Sequence, residues 1–226
     1  MKQTRTLDSH MPVRPRPALK PRKTPRQARS TATVDAIFEA FVQVLRSHGP
    51  RRLTTTRVAE RAGVSVGTMY QYFPNKQALL RAVIERYLGE VADAVEEACR
   101  GHMGRPVAVA SDALVSAYVL AKTKDVETSR ALYLAAAEVE VTELVNATFA
   151  RLHEATVRLL SSTPDARFEP VEEVAFFVIS AVTGATRVAV ETKSDRDALD
   201  QFRLGMAAMC RAFLRDAAIV RAGPAD

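Results

Sequence analysis

The sequence predicts an all-α protein: a basic, proline-rich arm over residues 1–28, a helix-turn-helix domain over 29–75 and a larger helical domain over 76–226. Three observations predict it. From Val34 onward, apolar residues recur at three- and four-residue intervals, and strand-like alternation is weak. Turn signals such as His48-Gly49-Pro50 and Phe73-Pro74-Asn75 separate those periodic stretches. Positive charge collects at the front: residues 1–30 carry a net +8, residues 31–88 a net +4 and residues 89–226 a net −6, within a total of +6. A basic arm beside a basic small domain suits a polyanion partner, with a merely solubilising tail as the alternative.

The elements follow in chain order. Pro12, Pro15, Pro17, Pro21 and Pro25 lie among the cations of the arm, and proline both lacks an amide donor and disfavours helix in the residue before it. An extended arm is expected there. Val34, Ile37, Phe38, Phe41, Val44 and Leu45 then form one apolar stripe, which His48-Gly49-Pro50 ends. Thr54-Thr55-Thr56 is an N-cap signal for a short helix ending near Ala62. Gly63 and Val64 make a turn, and Ser65 caps a second short helix running to about Tyr72. After Phe73-Pro74-Asn75 a long helix is expected over 76–99, then helices near 106–123, 126–137, 138–161, 170–192 and 195–222. Pro106 and Pro170 suit first-turn positions, and Asp125 and Asp195 suit N-caps.

Composition narrows the function. Hydrophobic residues make up 47% of the 226, enough for a packed core and too many for a disordered chain. The longest uncharged apolar run, 174–186, is too short to span a bilayer, and no secretory leader is visible, so no membrane partner is expected. Two cysteines, Cys99 and Cys210, are too few for a disulfide framework and fit a reducing cytoplasm. There is no HExxH, phosphate loop or nucleophilic triad, and Glu138 and Glu140 are two apart and do not share a helix face. Neither enzyme activity nor a cofactor is expected. Cys99 with His102 falls short of a metal ligand set, so no metal is expected either.

Residues 54–73 carry the chemistry. Two short helices joined by a tight turn can present the second helix to a DNA major groove. Ala59 is small where the helices should cross, Gly63 can take the positive φ of the turn, and Val58, Val64, Met69 and Phe73 supply apolar contacts. The second helix offers Ser65, Val66, Thr68, Gln71 and Tyr72, polar and largely uncharged. Ser, Thr and Gln can bond base edges or phosphates, Val66 can meet a thymine methyl, and Gly67 lets the backbone approach the duplex. Tyr70 is expected to donate to a phosphate and Tyr72 to sit at the groove's rim, with core packing as the alternative for both. Lys76, at the start of the next helix, is expected on a phosphate.

The stretch LTTTRVAERAGVSVGTMYQYFPNKQALLRAV, residues 53–83, resembles the DNA-binding signature of the TetR/AcrR family of bacterial repressors. The resemblance runs from about Ile37 to Val83 and includes Gly49, the threonine run, Ala59, Gly63, Val64, Ser65, Tyr70, Phe73, Lys76 and Leu79. It implies a three-helix DNA-binding domain, an all-helical ligand-binding and dimerising domain, and a homodimer on a palindromic double-stranded operator, released by a small-molecule effector. Thr55, Ser65, Gly67, Thr68, Tyr70, Gln71, Tyr72 and Lys76 match the family's DNA-contact positions. Gln71 departs from the Arg, His or Tyr often found there, which bears on base preference. By the same resemblance, the last two helices pair with those of a second copy, through Val174, Phe177, Val178, Ala181, Val182, Ala185 and Val188 of one and Phe202, Met206, Met209, Cys210, Phe213 and Leu214 of the other.

An effector pocket is expected between the long helix after Lys76 and the middle helices. Sparse polar groups on apolar walls make Tyr118, Arg130, Tyr133, Phe149, His153 and Phe177 its candidate residues, against plain packing or exposure for each. Two competing functions stand beside the repressor: a nucleoid-type DNA binder without ligand sensing, and a helical enzyme with a solubilising arm.

Overall fold

Short polar side chains set where most helices begin. The computed structural model describes residues 28–192 and 195–219; the predicted basic arm lies, apart from Ala28, outside the described residues. The described chain forms α1 (Ala28–His48), a single 3-10 turn (Pro50–Arg52), α2 (Thr55–Ala62), α3 (Val66–Tyr72), α4 (Lys76–Gly101), α5 (Val107–Thr123), α6 (Val126–Ala136), α7 (Thr142–Ser161), α8 (Val171–Thr192) and α9 (Arg196–Ala217), with no strand among the described residues. Thr54, Ser65, Asn75, Asp125 and Asp195 are N-caps, each accepting from a backbone amide three residues on. Each such cap contributes about 1 kcal/mol to its helix. Gly63, at φ 67°, closes α2 in the left-handed region that side chains avoid.

Three boundaries differ from the sequence reading. α7 starts at Thr142 rather than 138, because Glu140 turns back to accept from the Thr142 amide at 2.8 Å and the segment before it forms a turn. Pro106 and Pro170 stand just before α5 and α8, not inside their first turns. α9 ends at Ala217, and residues 220–222 lie outside the described residues.

Two apolar cores divide the molecule. The first joins Ile37, Phe41 and Leu45 of α1, Val58 and Ala59 of α2, Met69 and Phe73, and Leu79, Leu80, Val83 and Ile84 of α4, and is closed by Leu132 and Ala135 of α6. The second joins Val91, Val95 and Cys99 of α4 to α5, α7, α8 and α9. α4 therefore runs from one core into the other, and Tyr87 packs against both. Ion pairs support the joint: Arg46 holds Asp125 and Glu127 at the start of α6, and Arg86 holds Asp35 of α1 and Glu90 of α4.

By length and composition α8 is apolar enough to cross a bilayer, which the uncharged run alone did not indicate. Here Val174, Val178, Ile179 and Val182 point into the second core, and Val190 is buried as well. This corrects the expected pairing surface: Val174, Val178, Val182, Met206, Cys210 and Leu214 are buried within their own chain. Phe176, Phe177 and Val188 of α8 and Leu204, Met209 and Phe213 of α9 remain exposed. Phe149, Phe176, Phe177 and Phe213 form an edge-to-face series with centroids 5.8, 6.0 and 6.2 Å apart.

Candidate functional site

α2 and α3 cross where Ala59 and Val58 are fully buried, with Met69 and Phe73 beneath α3. Burying those residues turns the opposite face of α3 to solvent. Ser65, Val66, Gly67, Tyr70 and Gln71 are exposed, and Thr55, Thr68 and Tyr72 are half-buried. The Tyr70 hydroxyl and Thr55 Oγ1 lie 3.1 Å apart, joining α3 to the start of α2. That bond fixes a phenol that otherwise swings freely and sets two hydroxyls side by side, suited to one phosphate. A Cβ on Gly67 would meet only Ser65 Oγ at 3.7 Å, so nothing within the described chain requires glycine there.

Ser65 caps α3 as expected, Tyr72 takes the core-packing alternative, and Lys76 sits differently from the expectation. The Ser65 hydroxyl accepts from the Thr68 amide at 2.9 Å and lies 2.8 Å from Thr68 Oγ1, so both hydroxyls are engaged in starting α3. Tyr72 packs on the first core beside Phe73, with ring centroids 6.4 Å apart. Lys76 is half-buried and held within the chain: its ammonium donates to the Pro50 carbonyl at 3.2 Å and meets Glu138 Oε2 at 2.6 Å, in the turn before α7. Neighbouring Arg81 donates to the Glu140 carbonyl at 2.8 Å. The start of α4 is thus pinned to the acidic α6–α7 turn.

The six pocket candidates do not share one place. Tyr118 and Tyr133 lie near one another around a residue the sequence reading passed over, Lys122. Arg130 holds the Val190 carbonyl at 2.8 and 3.1 Å, fastening α6 to α8. Phe149, His153 and Phe177 belong elsewhere, to the aromatic series on the outer face: His153 stacks on Phe149 and bonds the Glu172 carbonyl at 2.9 Å. They do not join Tyr118 and Tyr133.

Lys122 is 1% exposed. Its Nζ stands 4.3 Å from the Tyr87 ring centroid and 4.4 Å from that of Tyr133, and the Arg187 guanidinium lies 5.2 Å from the latter. Tyr87 and Ser129 share a hydrogen bond of 2.5 Å, and the Ser129 hydroxyl donates to the Lys122 carbonyl at 2.6 Å. Burial first, and the Arg187 charge second, lower the Lys122 ammonium to about 7. Burial also pushes Tyr87 up to about 12 and raises Tyr118 and Tyr133, so these phenols stay neutral at ordinary pH. The signal was present in the sequence: Lys122 falls seven residues after Val115, on the stripe that Tyr118 and Val119 share. Burial likewise raises Cys99 to about 12 and Cys210 to about 11, which leaves little thiolate for a redox switch.

Residues 37–83 match the model of bacterial regulatory proteins of the tetR family, and residues 106–214 match a tetracyclin repressor-like C-terminal domain. Curated relatives align over short stretches. A nucleoid occlusion factor, SlmA, of Haemophilus ducreyi is 43% identical over 51 residues, 22% of this chain and 25% of its own. A fatty acid metabolism regulator protein of Bacillus subtilis is 33% identical over 61 residues, 27% of this chain and 31% of its own. The chain thus spans only about a quarter to a third of these relatives' length. Solved structures match over far more. A candidate TetR-family transcriptional regulator from Mesorhizobium loti superposes with TM-score 0.69 at 17% identity, covering 85% of this chain and all of that one. The fatty acid degradation regulator FadR from Bacillus halodurans gives 0.59 at 19%, covering 78% and 96%. Two family models in the right order on the corresponding helices settle the assignment: the chain belongs to the TetR family of bacterial regulatory proteins.

Proposed function

We propose that the chain is an effector-responsive, sequence-specific transcriptional regulator, a repressor that leaves a palindromic operator when a small molecule binds. The observation that carries the DNA side is the exposed polar face of α3, with Tyr70 held against Thr55. Tyr70 and Thr55 bind phosphate and fix the register; Gln71, Thr68 and Val66 meet base edges, and Gly67 permits close approach. Two copies pair through the exposed apolar residues of α8 and α9, which place two α3 helices one helical turn apart, roughly 34–40 Å. Effector binding in the second core reaches the first through α4 and Tyr87. The protein works in the cytoplasm, on chromosomal DNA.

The test is selection from a library of random duplexes, followed by footprinting. A palindrome with two half-sites, protected on both, is the expected result. Enrichment of no sequence, with uniform protection, would replace this reading with nucleoid-type binding.

A further inference from the structure

We propose that Lys122 anchors the anionic head of the effector, a carboxylate, with the body of the ligand held against the rings of Tyr87, Tyr118 and Tyr133. This deepens the effector-responsive reading and rests on it. A lysine ammonium has three N–H donors. Lys122 is buried to 1% exposure, yet its described contacts are two ring faces, and among the described residues no acidic side chain pairs with it and no acceptor takes its protons. Ring faces attract a cation but accept no strong hydrogen bond, so no oxygen of the described residues meets the ammonium. A carboxylate supplies one, bearing the opposite charge, beside aromatic rings that suit an alkyl or aryl body.

The surroundings favour an anion. Facing Lys122 are Tyr87 from α4 and Tyr133 from α6, with the Arg187 charge from α8; Tyr118, one turn earlier on its own helix, lies by those two tyrosines. The acid beside Arg187 is Glu191, already bonded to it at 3.1 Å. Tyr87 touches Lys122 on one side and the surface on the other. It also lines a groove of about 520 Å³ between α1, α4 and α6, whose walls include Val42, Val83 and Leu132. Of the groove's acids, Asp35, Glu90 and Asp125 are each paired with Arg86 or Arg46, and Glu39 accepts from the Gln43 amide at 3.3 Å. A head at Lys122 and a body reaching past Tyr87 would place the ligand across the joint of the two cores.

Protons give the site a signature. The carboxylate binds the charged ammonium. Because Lys122 empty titrates near 7, binding above that pH takes up a proton and weakens about tenfold per pH unit. The experiment is titration calorimetry of the full chain with sodium octanoate and sodium phenylacetate, against octan-1-ol and phenylacetamide. It is run at pH 8 in phosphate and in Tris, with operator affinity measured in parallel. At least one carboxylate is expected to bind at least tenfold tighter than its uncharged counterpart, taking up about 0.9 proton per site. Lys122→Met should abolish that preference. Lys122→Arg should keep the binding and lose the proton uptake, since guanidinium stays charged. The proposal is overturned if neither carboxylate binds at millimolar concentration, if the uncharged partner binds equally well, or if Lys122→Met binds as the parent does. Uncharged compounds that release the operator while carboxylates fail would sink the carboxylate and leave the effector reading standing. Carboxylate binding at Lys122 with unchanged operator affinity would do the reverse.

Discussion

Lys122→Met exchanges a buried ammonium for an apolar chain of similar length, and the fold should become more stable. The ammonium titrates near 7 in the folded chain and near 10.4 when unfolded. Between those values the unfolded chain binds more protons, so the parent's stability rises with pH across the window. The disadvantage is full below pH 7 and gone above about 10.4. Its ceiling is about 4–5 kcal/mol at pH 6, falling to about 2 kcal/mol at pH 9. The ring faces of Tyr87 and Tyr133 offset about 1 kcal/mol each, which leaves a net gain for the variant of about 2–3 kcal/mol at pH 6. Urea unfolding followed by circular dichroism, at one protein concentration and at pH 6, 7, 8 and 9, measures the difference. The gap should narrow by about 2 kcal/mol from pH 7 to 9. Tyr87, Tyr118 and Tyr133 cancel, being common to both proteins and raised above this range. Parallel curves, or a variant less stable than its parent at pH 6, would refute the account of Lys122.

Tyr70→Phe and Thr55→Val should each weaken operator binding by about 0.5–1.5 kcal/mol, equally across operator variants; because they share one hydrogen bond, the double variant should lose less than the sum, and fluorescence anisotropy with a labelled duplex reads all three. Glu138→Gln removes the charged partner of Lys76, so DNA affinity should rise and the slope of log affinity against log salt should steepen by up to about 0.9 per protomer; an unchanged slope would mean that Lys76 never reaches a phosphate. Phe213→Asp, at a residue 37% exposed, should leave the helical content intact and shift light scattering toward the 24.8 kDa monomer, with operator binding lost; a dimer that persists would move the interface elsewhere. Deleting residues 1–25 should lower the salt slope by about 2–4 per protomer with little change in melting temperature, whereas an unchanged slope would make the arm a solubilising tail.

Periodicity and punctuation in the sequence were enough for the helices, because capping is local: Thr54, Ser65, Asp125 and Asp195 act within three residues of themselves. The crossing of α2 and α3 was legible for the same reason, since Ala59, Gly63 and Met69 lie within eleven positions of one another. What failed to show was every contact made at long range. Nothing near Lys76 announces Glu138, 62 positions away, so its ammonium was expected on DNA. Phe149, His153 and Phe177 carry the right chemistry for a pocket, but helix rotation decides what they meet, and it gathers them into an aromatic series apart from Tyr118 and Tyr133. Lys122 was overlooked because charge is read as exposure, although its place on an apolar stripe argued otherwise.

The sharing of α4 bears on how such a protein can be cut and rejoined. Leu79, Leu80, Val83 and Ile84 belong to the first core, although they follow the helix-turn-helix in sequence. A chimera joined at residue 75 or 76 would strip the reading head of four large apolar residues and give it those of a stranger. Grafts that transplant operator choice between relatives should therefore carry the first three turns of α4 and be spliced beyond Tyr87, and the α6 residues Leu132 and Ala135 should travel with them. Recombination during descent meets the same seam: exchange between such genes is tolerated where the packing, not the motif, comes to an end.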